Sequence, residues 1–161
     1  MRALGLDPGI ESFGWAVLEF GNDCVPVLKD CGVIKTPAGK PLGDRLSMIG
    51  CELERIIAAY NPGFAAIEEI FFAKNTKTAI VVGHARGAGM LSCAKAGLKI
   101  FEFTPLQVKQ ALTGYGRADK SQVGFMVRGI LKLKELPKDD NTVDAIAIGI
   151  CFVHSFRNLR G

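Results

Sequence analysis

The hydrophobic period changes once along this chain, and that change most narrows what it can fold into. Up to Thr36 the apolar residues come in short β-type runs, at Arg2–Asp7, 14–20 and 25–36, broken by Gly, Pro, Asn and Asp. From 41 to 60 the spacing turns helical: Leu42, Leu46, Ile49, Leu53, Ile56 and Ile57 fall on one face, and Asn61-Pro62 stops the run. Beyond it the two types alternate. A strand is expected over 64–70, a long helix over 76–96, a strand over 99–104, and helices over 105–112, 120–133 and 141–156. Three strands followed by alternating helices and strands predict an α/β fold, a mixed five-stranded sheet with helices on both faces.

At 161 residues, 48% hydrophobic and 22% charged, the chain reads as one globular domain, 1–161. Its net charge of +4 suits a polyanionic partner without requiring one. The five cysteines form no C-x-x-C pair, so reduced thiols are expected rather than zinc or disulfides. No signal-type segment opens the sequence, and no apolar run approaches the roughly 20 residues that span a bilayer. The expectation is a soluble, cytoplasmic protein.

Four positions carry the chemistry. Asp7 ends one apolar run, Glu68 ends another, and Asn141 and Asp144 stand just before a third, Ala145-Ile-Ala-Ile. Carboxylates at the ends of core elements are costly unless something compensates them. Convergence on one point would create an oxygen-ligand site for divalent cations, which also bind phosphates, and this reads as a magnesium-dependent nuclease. Each position also has a local explanation. Asp7-Pro8-Gly9 suits an ordinary turn. It equally resembles the first phosphate-binding turn of the actin and sugar-kinase superfamily, although that fold needs two lobes and this length supplies one. Glu68 and Glu69 must point to opposite faces of a strand. Asn141 as N-cap with Asp144 three residues on approximates a capping box.

Basic residues cluster near these acids in sequence. Lys109, Arg117 and Lys120 bracket a Gly114-Tyr-Gly116 turn, while Lys74, Lys77 and Arg86 flank Phe71-Phe72. Cationic side chains beside an acidic site can hold phosphates that the carboxylates alone would repel. The helix over 76–96 contains Gly83, Gly87 and Gly89, each costing up to ~1 kcal/mol relative to alanine. Close packing on this chain's own sheet, or on a second copy in a twofold dimer, would each explain them.

With these positions in place, the chain resembles the RuvC family of Holliday-junction resolvases along nearly its whole length. The resemblance rests on Gly5-Leu-Asp-Pro-Gly, Ala66-Ile-Glu-Glu-Ile-Phe-Phe-Ala-Lys-Asn, Gly83-His-Ala-Arg-Gly, Gln107-Val-Lys-Gln, Gly114-Tyr-Gly-Arg-Ala-Asp-Lys-Ser-Gln-Val and Asp144-Ala-Ile-Ala-Ile, in that order. It implies a ribonuclease-H-like fold and a homodimer. The implied activity is paired nicking of opposed strands at a four-way DNA junction, in recombination and repair, with partners RuvA and RuvB. It further implies two Mg2+ ions per site, with Mn2+ able to substitute. The family's catalytic acids fall on Asp7, Glu68 and Asp144, and its fourth ligand position falls on Asn141, with Asp140 as a substitute. Catalytic lysines fall on Lys109 and Lys120, and a junction-stacking aromatic on Phe71. Because an amide at 141 lacks a carboxylate's charge, a junction-binding but cleavage-impaired form is the alternative expectation.

Overall fold

The computed structural model describes residues 1–70 and 76–159. Its elements are β1 (Arg2–Asp7), β2 (Ser12–Glu19), β3 (Val27–Lys35), α1 (Leu42–Tyr60) and β4 (Phe64–Glu68), then α2 (Thr76–Lys95), β5 (Lys99–Phe103), α3 (Pro105–Thr113), α4 (Lys120–Ile130) and α5 (Asp140–Leu159). Every element expected from the hydrophobic pattern is present. The strands form one sheet in the order β3-β2-β1-β4-β5. β1 to β3 run as an antiparallel meander, whereas β4 and β5 lie parallel to β1 and to each other.

Side-chain alternation divides the core between the two sheet faces. Leu4, Leu6, Phe13, Val17, Ala65 and Ile67 pack with Ile49 and Leu53 of α1 and Ala85 of α2. Ala3, Ala16, Leu18, Phe20 and Ala66 pack instead with Val108 of α3, Val123 of α4 and the apolar length of α5. The same alternation puts Ala3-Gly5-Asp7 and Phe64-Ala66-Glu68 on the face that α5 covers.

Helix α5 lies on that face at backbone distance. A Cβ on Gly5 would stand 2.2 Å from the Ala145 carbonyl oxygen, and one on Gly14 only 2.0 Å from that of Asn141. Gly14 is the cross-strand partner of Asp7. Two glycines therefore seat the first turns of α5 beside the end of β1. At the other end of the same face, Phe20, Phe64, Phe101, Phe152 and Phe156 form an aromatic cluster with ring centroids as close as 5.0 Å.

The start of α5 differs from the expected capping box. The helix begins at Asp140, and the cap is Asp139, whose Oδ1 accepts the N–H groups of Asn141 at 3.1 Å and Thr142 at 3.3 Å. In Lys138-Asp-Asp-Asn three successive side chains are competent caps, and the first of them, Asp139, takes the role.

Candidate active site

Asp7 and Glu68 end neighbouring parallel strands whose preceding residues, Leu6 and Ile67, are in register. The strand order reverses direction between β1 and β4, the place where open α/β sheets bind ligands beyond the strands' carboxyl ends. Asp144, in the second turn of α5, comes down over that point. Capping boxes at Thr104/Gln107 and Asp119/Gln122 start α3 and α4 on either side, which makes Lys120 the first residue of α4 and places Lys109 mid-way along α3. Glu68, Pro105, Val108, Lys109, Lys120, Val123 and Asp144 line one open cleft of about 270 Å³.

The three carboxyl groups feel one another. Burial pushes the Asp7 carboxyl up from 3.8 to about 7, with Asp144 and Glu68 adding to the rise and Lys120 opposing it. Burial raises Glu68 as well, reinforced by Asp144 and offset by Lys109 and Lys120. Asp144 is raised by burial although Lys120 works against it, with Lys120 Nζ 3.4 Å from its Oδ2. Lys120 in turn is held above the usual lysine range, chiefly by Asp144. Half-dry acids that repel one another and are only partly neutralised by lysine lack positive charge.

A divalent cation fits that deficit. Among the described residues no three acidic, histidine or cysteine side chains are drawn together into a closed cage. Magnesium seldom has such a cage; it is bound by one or two carboxylates, with water and substrate phosphates filling the shell. The donors here are hard oxygens at the edge of an open cleft, and the mutual repulsion of Asp7, Glu68 and Asp144 is what a cation would relieve.

The other expected site residues are distributed unevenly. Asn141 is carried beside Asp7 by the contact of its backbone with Gly14. Asp140 is exposed at the rim, 3.8 Å from Lys120. Lys77 and Arg117 are exposed on the first turn of α2 and the α3–α4 turn. Arg86 is engaged within the protein: its Nε donates to the Glu68 carbonyl at 3.0 Å, and its Nη2 pairs with Glu102. It thus ties the end of β4 to α2 and leaves less of its guanidinium for phosphate. Phe71 and Lys74 lie outside the described residues.

Residues 3–152 match the family model described as crossover junction endodeoxyribonuclease RuvC. The chain belongs to the RuvC family. A crossover junction endodeoxyribonuclease RuvC of Alkaliphilus oremlandii is 49% identical over 155 residues, covering 96% of this chain and 94% of the relative. That of Desulfitobacterium hafniense is 50% identical over 156 residues, with 96% and 93% covered. The structure of Thermus thermophilus RuvC in complex with Holliday junction substrate superposes with a TM-score of 0.93 at 35% identity, covering 98% of this chain and 96% of that one. The yeast mitochondrial Holliday junction resolvase shares the fold, with a TM-score of 0.67 at 12% identity.

The ribonuclease-H-like architecture is therefore that of RuvC, and the kinase-like reading of the Asp7 turn falls away. The cleavage-impaired alternative also finds no support, since the family model and the relatives above are named as endonucleases. RuvC nucleases depend on metal, in keeping with the charge deficit at the site. None of the described helices is long and apolar enough to cross a membrane. Sequence reasoning missed Asp139, Lys35 and Ser12, which meet next to the site. Their only signal was an ambiguous run of capping residues and a lysine at a strand end.

Proposed function

We infer that this chain is a crossover junction endodeoxyribonuclease that resolves four-way Holliday junctions by nicking opposed strands. The observation that carries the reading is that Asp7 and Glu68 end neighbouring strands at the reversal of strand order, under Asp144 of α5, with Lys109 and Lys120 beside Glu68 and Asp144. We assign Asp7, Glu68 and Asp144 as metal ligands, with position 141 or Asp140 completing the set. Two Mg2+ ions, or Mn2+ in their place, would supply Lewis-acid activation of the phosphodiester and of the attacking water.

The chain's own residues do the rest. Lys120 and Lys109 offset the carboxylates, so that a phosphate can enter a cleft that would otherwise repel it. Lys77, Arg117 and, to the extent that its donors remain free, Arg86 extend positive charge along the DNA path, and Phe71 and Lys74 belong to the same proposed contact. Two strand ends and the first turns of α5 hold the half-buried acids in place, so little reorganisation is needed at the moment of reaction.

Paired nicks call for two copies related by a twofold axis, and the exposed side of α2 suits that role. Ile80, His84, Gly87 and Leu91 share it, with Ile80 and Leu91 more than half exposed and open space where a Cβ on Gly87 would stand. Gly89, by contrast, faces Phe13 of the chain's own core. RuvA and RuvB are the further partners that the resemblance implies, and the cytoplasm, where bacterial DNA lies, is the proposed compartment.

The test is nicking of a labelled, branch-migratable four-way junction with Mg2+ or Mn2+, beside a linear duplex of the same sequence. Symmetric nicks confined to the junction, lost in Asp144→Asn while metal-free junction binding persists, are the expected result. Equal cutting of the duplex, or an intact junction with both metals, overturns the reading.

A further inference from the structure

The last residues of β3 hold the turn that follows Asp7. Lys35 is the cross-strand partner of Ser12, and its Nζ donates to Ser12 Oγ at 2.7 Å and to Asp139 Oδ2 at 2.8 Å. The other carboxylate oxygen of Asp139 caps α5 through the N–H groups of Asn141 and Thr142. One ammonium group thus joins the loop leaving Asp7 to the start of the helix that carries Asp144. Thr36, the next residue, grips the same loop from behind. Its hydroxyl donates to the Ile10 carbonyl, its N–H donates to the Glu11 carbonyl at 3.1 Å, and the buried Arg45 donates to its Oγ1 at 2.8 Å.

We propose that Lys35 is a positioning residue for the metal site, setting the spacing between Asp7 and Asp144 by locking the Asp7 loop to the Asp139 cap of α5. The proposal rests on the nuclease reading for its purpose but not for its geometry. Lys35 is 60% exposed and Asp139 26%, and exposed ion pairs add little to global stability, so a stabilising role does not explain the arrangement. Asp7 precedes the loop that ends at Ser12, and Asp144 follows Asp139 in the first turns of α5, so the Lys35 ammonium ties together the two segments that must both supply ligands. It does so from outside the cleft. Losing a partner that orients a metal ligand typically costs about 10–100-fold in metal affinity or activity.

The experiment compares the full chain with Lys35→Met, Lys35→Arg and Lys29→Met. Lys29 sits on the same strand but pairs with Glu19 at its other end, so it controls for loss of a surface charge. Two readings need no DNA: the Mn2+ concentration giving half the maximal thermal shift, and amide exchange at Asn141 and Thr142. Junction affinity without metal is the third. Lys35→Met is expected to raise the Mn2+ midpoint about tenfold or more and to speed both exchanges, with metal-free junction affinity unchanged. Lys35→Arg should restore most of the midpoint, and Lys29→Met should leave it at the wild-type value. An unchanged midpoint in Lys35→Met overturns the proposal, as does an equal shift in Lys29→Met. Should Lys35→Met fail to fold, Ser12→Ala removes one of the two bonds. A smaller rise in its Mn2+ midpoint supports the proposal, and a wild-type midpoint overturns it. Wild-type protein that binds Mn2+, with the midpoint raised in Lys35→Met, but leaves junctions intact would refute the nuclease reading alone.

Discussion

Helix α5 has one end among carboxylates and the other among phenylalanines, and both ends rest on the same sheet face. At its start, Asp144 stands with Asp7 and Glu68, three half-buried carboxyl groups that burial raises, with Asp144 adding to the rise at the other two. Towards its far end, Phe152 and Phe156 pack with Phe20, Phe64 and Phe101, and Phe152 is fully buried. The aromatic end gains free energy by leaving water; the acidic end loses it. One element therefore stores its stability in one half and its chemistry in the other. The cost at the start is tolerated because the helix is anchored elsewhere.

The sharpest way to break this contrast is to neutralise the acidic end. Asp7→Asn should lower junction cleavage by at least about 10²–10³-fold, the scale for removing one preorganised electrostatic group. The same change should stabilise the metal-free fold at alkaline pH. With the Asp7 carboxyl pushed up to about 7, the folded chain holds that proton more tightly than the unfolded chain does. The resulting stability is whole below the ordinary value of 3.8 and is lost as pH rises through about 7. The unfolding free energy of metal-free wild type, read from urea titrations, should fall between pH 5 and pH 8 by an upper bound of about 3 kcal/mol, and recover on adding Mn2+. A flat wild-type profile would contradict the assigned strain at Asp7.

Phe152→Ala strikes the opposite end. Removing a fully buried ring should cost about 3–5 kcal/mol in urea unfolding. At a temperature where the variant is folded, its Mn2+ midpoint and cleavage rate should stay near wild type. A large catalytic defect in the folded variant would show that the two halves of α5 are not separable.

Lys120→Met tests the counter-charge within the cleft. Lys120 holds down the carboxyls of Asp7, Glu68 and Asp144, so its loss raises them further. Cleavage should fall by roughly 10²-fold, and the acid limb of the pH–rate profile should move to higher pH. A profile that falls in amplitude without moving would leave Lys120 a phosphate contact alone. The smallest effect is expected at Asn141→Asp: with Asp140 beside it able to complete the ligand set, and waters filling the rest of a magnesium shell, the added carboxylate should change the cleavage rate by less than about threefold.

Much of this could be read in the residues. The change of period at Pro41 marked out the strands and helices, because burial against one face leaves its repeat in the sequence whatever the partner is. Asp7, Glu68 and Asp144 stood out because carboxylates are rare at the ends of apolar runs. Arg86 was less legible: a basic residue near a loop looks the same whether it meets phosphate or, as here, a carbonyl of β4 and Glu102. The start of α5 was ambiguous for a similar reason, since Asp139, Asp140 and Asn141 are all able to cap.

Local composition by itself determined the elements, the two-faced sheet and the three acids, because each depends on residues close together in the chain. Only the tertiary structure decided that Gly5 and Gly14 let α5 reach the sheet at backbone distance, and that Lys35 meets Asp139 across 104 positions of sequence. Those contacts join segments whose sequences carry no mark of each other; they exist because parallel strands and one long helix pack around a shared face.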